Sequence, residues 1–145
     1  MEKRVTVQYL SDYNYSQLVT TGSHSFVIDE PVEDGGDGLG PSPYEVLLSA
    51  LGSCTAMTVL MYARRKGWEV TECSVHLTHD RVHADDSADA EKGTRRVEVI
   101  KRDISLHGHL TEDQKTRLLE IAQKCPVHKT LQSAPTVIDS IIVGE

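Results

Sequence analysis

Apolar and polar positions alternate, or β-branched residues gather, over residues 4 to 10 (RVTVQYL) and 15 to 21 (YSQLVTT), with Asp12 to Asn14 as a turn between them. A third extended run, His24 to Asp29, follows Gly22 and completes a predicted β-meander. The pattern stops at Glu30. From there to Pro43 the chain is rich in glycine, proline and acids (EPVEDGGDGLGPSP), which reads as a long, mobile surface loop. Its glycines lack the Lys-Ser/Thr ending of a P-loop and do not stand in G-x-G-x-x-G order between a strand and a helix, so no phosphate cradle is expected.

A helix start follows. Ser42 is the expected N-cap, Pro43 the first helical residue, and Glu45 closes a capping box. Residues 46 to 63 (VLLSALGSCTAMTVLMYA) carry no charge, Arg64, Arg65 and Lys66 suit the last turn, and Gly67 ends the helix. The uncharged run is just long enough to cross a bilayer, but Ser49, Gly52, Ser53, Thr55 and Thr58 dilute it. In a chain that is otherwise polar and amphipathic, such a helix is expected to be the buried central axis of a soluble core.

Residues 69 to 82 and 95 to 106 read as two long strands joined by the polar stretch 83 to 94 (HADDSADAEKGT), most simply a β-ribbon. Thr111 with Gln114 makes a second capping box, and Leu118, Leu119, Ile121 and Ala122 mark a helix ending near Cys125, because Pro126 removes a backbone donor. A short helix VHKTLQ and a last strand, Thr136 to Val143, follow. Strands and helices without regular βαβ alternation predict an α+β fold with antiparallel sheet.

Composition narrows the function. At 145 residues one domain, 1–145, is expected. Fifteen basic against 22 acidic residues give a formal net charge of -7, with no basic cluster, which excludes nucleic acid as the expected partner. Three widely spaced cysteines and an N-terminus (MEKRVTVQYL) without a signal-like apolar run point to a reducing cytoplasm rather than a secreted disulfide scaffold.

The cysteines carry the candidate chemistry. Cys54 lies mid-helix beside Leu47, Ala50, Leu51, Met57, Thr58 and Met61, where burial alone raises a thiol pKa and makes it inert. Cys125 ends one helix where Pro126 opens the next, a position that favours a thiolate. Read singly, each is equally a small packing residue. Cys73, in a strand, reads as half-buried and inert.

Taken together the two segments are more specific. Residues 40 to 68 (GPSPYEVLLSALGSCTAMTVLMYARRKGW) resemble the central-helix signature of the OsmC/Ohr superfamily, the osmotically inducible and organic hydroperoxide resistance proteins, in particular its OsmC-like "redox protein" branch. Residues 118 to 131 (LLEIAQKCPVHKTL) resemble its second cysteine helix. The resemblance implies an α+β fold of antiparallel sheets around a long buried helix, an intertwined homodimer, and reduction of organic hydroperoxides or hydrogen peroxide. It implies a Cys54/Cys125 redox pair, with Cys54 peroxidatic and Cys125 resolving, recycled by an external dithiol without any cofactor or metal. The alternative is a non-catalytic binding module on the same fold.

In the peroxidase branch an arginine from the N-terminal sheet, held by a glutamate at the helix start, stabilises the thiolate. Residues 5 to 63 contain neither arginine nor lysine, so the substitute cations are Arg4, Arg64, Arg65 or His128. Tyr44 stands where the family glutamate aligns and Glu45 one place later. Glu45 would lie about 13 Å from Cys54 along an ideal helix, on its opposite side, and capping already explains it. Tyr44, Glu45 and His128 are therefore kept as supporting candidates. A zinc site is not expected: His76 and His79 point to opposite faces of a strand that also carries His83, and Cys125-x-x-His128 with Cys54 lacks a fourth ligand.

Overall fold

The computed structural model describes residues 2–83 and 96–144. In chain order it contains β1 (Thr6–Tyr9), β2 (Gln17–Thr21), β3 (His24–Ile28), a 3-10 turn (Val32–Asp34), α1 (Pro43–Lys66), β4 (Glu69–His83), β5 (Arg96–His109), α2 (Glu112–Ala122) and α3 (Pro126–Gln132). This is the expected α+β class. The polar connection expected over 83 to 94 lies, from residue 84 on, outside the described residues. Two compact units divide the chain, Met1–Ala50 with Thr78–Lys101, and Leu51–Leu77 with Arg102–Glu145.

In the first unit β1, β2 and β3 form the predicted antiparallel meander, with Val7 opposite Val19 and Val19 opposite Phe26. The loop after β3 differs from expectation: it is tied down rather than mobile. Asp29 is buried, and its carboxylate accepts from Ser16 Oγ (2.8 Å) and from the N–H groups of Glu30 (2.8 Å) and Leu39 (3.1 Å). Burial pushes its pKa up, but these hydrogen bonds outweigh it and hold the carboxyl below its usual value. Asn14 adds two more ties, its N–H to Asp37 Oδ2 (2.9 Å) and its amide to Gly35 O (3.1 Å). Glycines and acids that read as looseness in the sequence are here hydrogen-bond partners of a buried carboxylate and an adjoining turn. At the loop's end the capping box forms as predicted: Ser42 N–H donates to Glu45 Oε1 (3.0 Å) and Glu45 N–H to Ser42 Oγ (3.4 Å).

The second unit holds the apolar core. Val59 and Ala63 of α1 pack with Leu118 and Ala122 of α2, and Tyr62, Trp68, Val70, Ile104, Leu106 and Leu110 surround them. Burying Leu118 and Val59 completely contributes roughly 1.5–3 kcal/mol each. α1 ends in a Schellman motif: Gly67 adopts φ +70°, Trp68 N–H reaches Ala63 O (2.9 Å) and Gly67 N–H reaches Arg64 O (3.2 Å). Thr111 and Gln114 close the capping box expected for α2.

By length and composition α1 could cross a membrane, but its inner stripe packs into this core. Burial is one-sided. Leu51, Gly52, Thr55, Val59 and Ala63 are inside, while Met57 and Met61 are more than half exposed. An uncharged sequence could not distinguish the two sides. The strand expected over Thr136 to Val143 is not formed, for these residues have neither helix nor strand conformation. Val137, Ile138, Ile141, Ile142 and Val143 are all at least 78% exposed, and without a ladder partner an apolar β-branched run has nothing to hold it as a strand.

Candidate active site

Cys54 and Cys125 meet in the second unit. Cys54 sits on α1, half-buried, one residue before the fully buried Thr55. Cys125 is fully buried at the N-cap of α3, placed there because Pro126 cannot continue α2 and is preorganised as the first residue of α3. Both thiols are free, and each is among the groups that shift the other's acidity.

Their environments push the two thiols apart. Burial and the hydrogen bond it gives to Cys125 raise the Cys54 pKa above the ordinary thiol value. Burial also pushes Cys125 up, but contacts from Cys54, the N–H groups of His128 and Val127, and the Thr55 hydroxyl outweigh it, so that this thiol falls below its ordinary value. No well-aligned capping hydrogen bond closes onto the Cys125 side chain, so the N–H groups act as oriented dipoles. Cys125 is thus the more acidic thiol of the pair and Cys54 the less acidic. A peroxidatic Cys54 would suggest the reverse.

Of the four substitute cations, His128 is beside the pair, its backbone N–H acting on Cys125. Its ring Nδ1 lies 3.4 Å from Nη2 of Arg102, a residue the sequence reading did not single out. Arg102 Nη1 donates to Thr55 Oγ1 (2.8 Å) and reaches Ala122 O (3.5 Å). Along β5 it shares the half-buried phase of Ile104 and Leu106, so the overlooked signal was an arginine in an apolar register. Thr55, in sequence one of the polar residues that dilute an apolar helix, is the partner of that arginine. Arg4 pairs with Glu2 (2.7 Å), and Arg64 and Arg65 line a neighbouring cavity.

That cavity, about 680 Å³, has apolar walls from Met61, Tyr62, Ile121 and Pro126, and Arg64, Arg65 and Lys124 also line it. It adjoins the cysteine pair through Pro126 and through Thr58, whose hydroxyl donates to Cys54 O (2.7 Å). The apolar surface could accept the organic part of a small ligand.

The other candidates lie elsewhere. Glu45 is occupied by Ser42, whose N–H lowers its pKa. Tyr44 stacks on His79 at 4.4 Å between ring centroids and interacts with Arg81, while His79 and Arg81 both bind Glu98. This cluster belongs to the first unit. Cys73 is half-buried and burial raises its pKa, as expected of an unreactive thiol. His76 is exposed and His79 half-buried, on opposite faces of β4. No group of three or more potential metal ligands occurs among the described residues, and the side chain of His83 lies outside them.

Solved structures share this fold. The OsmC-like protein of Mycoplasma pneumoniae is 19% identical, with 92% of this chain and 89% of that one aligned at a TM-score of 0.71. The organic hydroperoxide resistance protein OsmC of Legionella pneumophila is 14% identical, with 91% and 90% covered at a TM-score of 0.64. OhrB of Bacillus subtilis, an organic hydroperoxide resistance protein, is also 14% identical, with 92% and 93% covered at 0.61. At these identities the likeness concerns the fold alone. No curated protein sequence matches the chain. The family model of OsmC-like proteins matches residues 35–139, which include both cysteine segments, and on that match the chain belongs to the OsmC-like protein family.

Proposed function

We propose that this protein is a thiol-dependent peroxidase that reduces organic hydroperoxides or hydrogen peroxide through Cys54 and Cys125. The observation that carries the reading is the pair itself: two free thiols from distant parts of the chain, in mutual contact and unequal in acidity, beside an open apolar cavity. Family membership and the hydroperoxide-resistance names of fold relatives agree with a redox role.

Cys54, the more exposed thiol, receives the peroxide. Its sulfur attacks one peroxide oxygen, the O–O bond breaks, and the Cys54 proton passes to the Cys125 thiolate and from there to the departing alkoxide. Cys54 becomes a sulfenic acid, and alcohol, or water from hydrogen peroxide, leaves. The Cys125 thiolate then attacks the Cys54 sulfur, the S–O bond breaks, and hydroxide leaves to take a proton from solvent. An external dithiol reduces the disulfide and is itself oxidised. An anionic Cys125 thus serves first as proton acceptor and then as nucleophile.

One equivalent of cumene hydroperoxide or hydrogen peroxide is expected to consume two thiols rapidly, as counted with a thiol reagent in the presence of denaturant. A non-catalytic binding module shows no fast stoichiometric loss.

The working unit in this reading is a homodimer. Exposed Met57 and Met61 on α1, and the unpaired apolar segment at residues 137 to 143, are surfaces that a second copy would cover. Light scattering of the intact chain should give twice the mass of one chain, and removal of residues 136–145 should shift the mass toward one. A full-length chain that stays monomeric at micromolar concentration contradicts this.

A further inference from the structure

We propose that Arg102, on the half-buried phase of β5, is the positive charge of the thiol site, and that it positions and polarises the Thr55 hydroxyl against Cys125. In turnover this role rests on the peroxidase reading above; as a statement about the thiol it does not.

The geometry is specific. Thr55 is fully buried, and its oxygen accepts the Arg102 Nη1 hydrogen at 2.8 Å. Its own single proton points to Leu51 O, 2.7 Å away, in the helical back-bond common for threonine. The same hydroxyl is among the groups that lower the Cys125 pKa, which places its proton in competition between Leu51 O and the sulfur. Accepting from a cation makes the hydroxyl a stronger donor, so Arg102 favours the state in which Cys125 is a thiolate.

The remaining Arg102 contacts hold the place where that thiolate sits. Ala122 O belongs to the last turn of α2 and His128 to the first turn of α3, so one guanidinium touches both sides of the kink that presents Cys125. A guanidinium has donors and no acceptor, so Arg102 is the donor in its contact with His128 Nδ1. Among the described residues no carboxylate pairs with Arg102. The titratable and charged groups around Cys125 are then Cys54 from α1, Arg102 from β5 and His128 from α3, with Lys124, after the end of α2, lining the cavity beside them. Lysine in place of arginine could reach Thr55 or the kink, but not all three acceptors from one planar fork.

The test reads the thiol without any peroxide. In Cys73→Ser protein, alkylation of Cys125 by iodoacetamide is followed across pH by peptide mass spectrometry, for the parent and for Arg102→Ala, Arg102→Lys and Thr55→Val. Below the parent's titration midpoint, alkylation of Cys125 in Arg102→Ala should fall about tenfold, equivalent to a rise of about one pKa unit. Arg102→Lys should recover part of that loss. Thr55→Val should fall similarly, and adding Arg102→Ala to it should change the rate by less than about twofold, since the two act in series. Folding is checked by near-ultraviolet circular dichroism; if Arg102→Ala does not fold, Arg102→Lys and Thr55→Val still decide. An unchanged pH profile in folded Arg102→Ala, or in both remaining variants, overturns the proposal, as does full additivity of the double variant. A shifted profile in a protein that consumes no peroxide refutes the peroxidase reading and leaves this inference standing.

Discussion

Cys54→Ser is expected to abolish peroxide turnover in the presence of a dithiol reductant, lowering the rate by on the order of 1,000-fold or more. A hydroxyl lacks the nucleophilicity of sulfur and cannot form the disulfide. The contrast with Cys125→Ser is diagnostic. That variant retains the attacking sulfur but loses the thiolate that condenses with sulfenic acid, so one equivalent of peroxide should leave Cys54–SOH trappable by dimedone. It also loses the proton acceptor, so even the first oxidation should slow. In the parent, the rate should rise as pH increases through the depressed Cys125 value, because that thiolate forms below the range of an ordinary thiol. A Cys54→Ser protein with full turnover removes Cys54 from the mechanism.

Gly108→Ala should destabilise the fold more than any surface substitution in the same strand. Gly108 has φ +152°, and a Cβ there would stand 2.1 Å from Glu69 O and 3.0 Å from both Glu69 C and Val70 Cα. These are backbone atoms, so no side-chain rotation relieves the overlap. Strain at this φ and the displacement of β4 together cost on the order of 3 kcal/mol. For a chain of this size that corresponds to a fall in melting temperature of roughly 6–12 °C. Because β5 carries Arg102 six residues earlier, a shift of the strand should also disturb the thiol pair. A melting temperature within about 2 °C of the parent's contradicts the close approach.

What could be read from the sequence was what depends on local chemistry. The Ser42/Glu45 and Thr111/Gln114 capping boxes, the stop at Gly67 and the break at Pro126 each follow from neighbouring residues, and each is found where expected. The two cysteine segments stood out through their resemblance to the OsmC/Ohr superfamily, since each cysteine read singly is equally a small packing residue. Less legible was whatever depends on packing. Nothing local distinguishes the buried side of α1 at Leu51 and Val59 from its exposed side at Met57 and Met61. Nor does anything local say that Asp29 gathers the glycine-rich loop around its carboxylate. Thr136 to Val143 has strand propensity without a partner in the chain, and propensity alone does not make a strand.

The site shows the same division. Residues 5 to 63 carry no arginine or lysine, while Arg102 stands on β5, where its neighbours in sequence, Lys101 and Asp103, give it the look of an ordinary charged strand. Only the phase it shares with Ile104 and Leu106 sets it apart. The directions of the two thiols followed from the mid-helix burial of Cys54 and the helix start at Cys125, but the share taken by the Thr55 hydroxyl did not, because no spacing in the sequence reveals it.

The most direct measurement is peptide mapping of the protein by mass spectrometry, without reduction, after one equivalent of cumene hydroperoxide. The account predicts near-complete conversion to a species in which the Cys54 peptide is joined to the Cys125 peptide, with Cys73 still free and reversal by a dithiol. Recovery of both cysteines as unmodified thiols, or a crosslink that engages Cys73 instead, contradicts it.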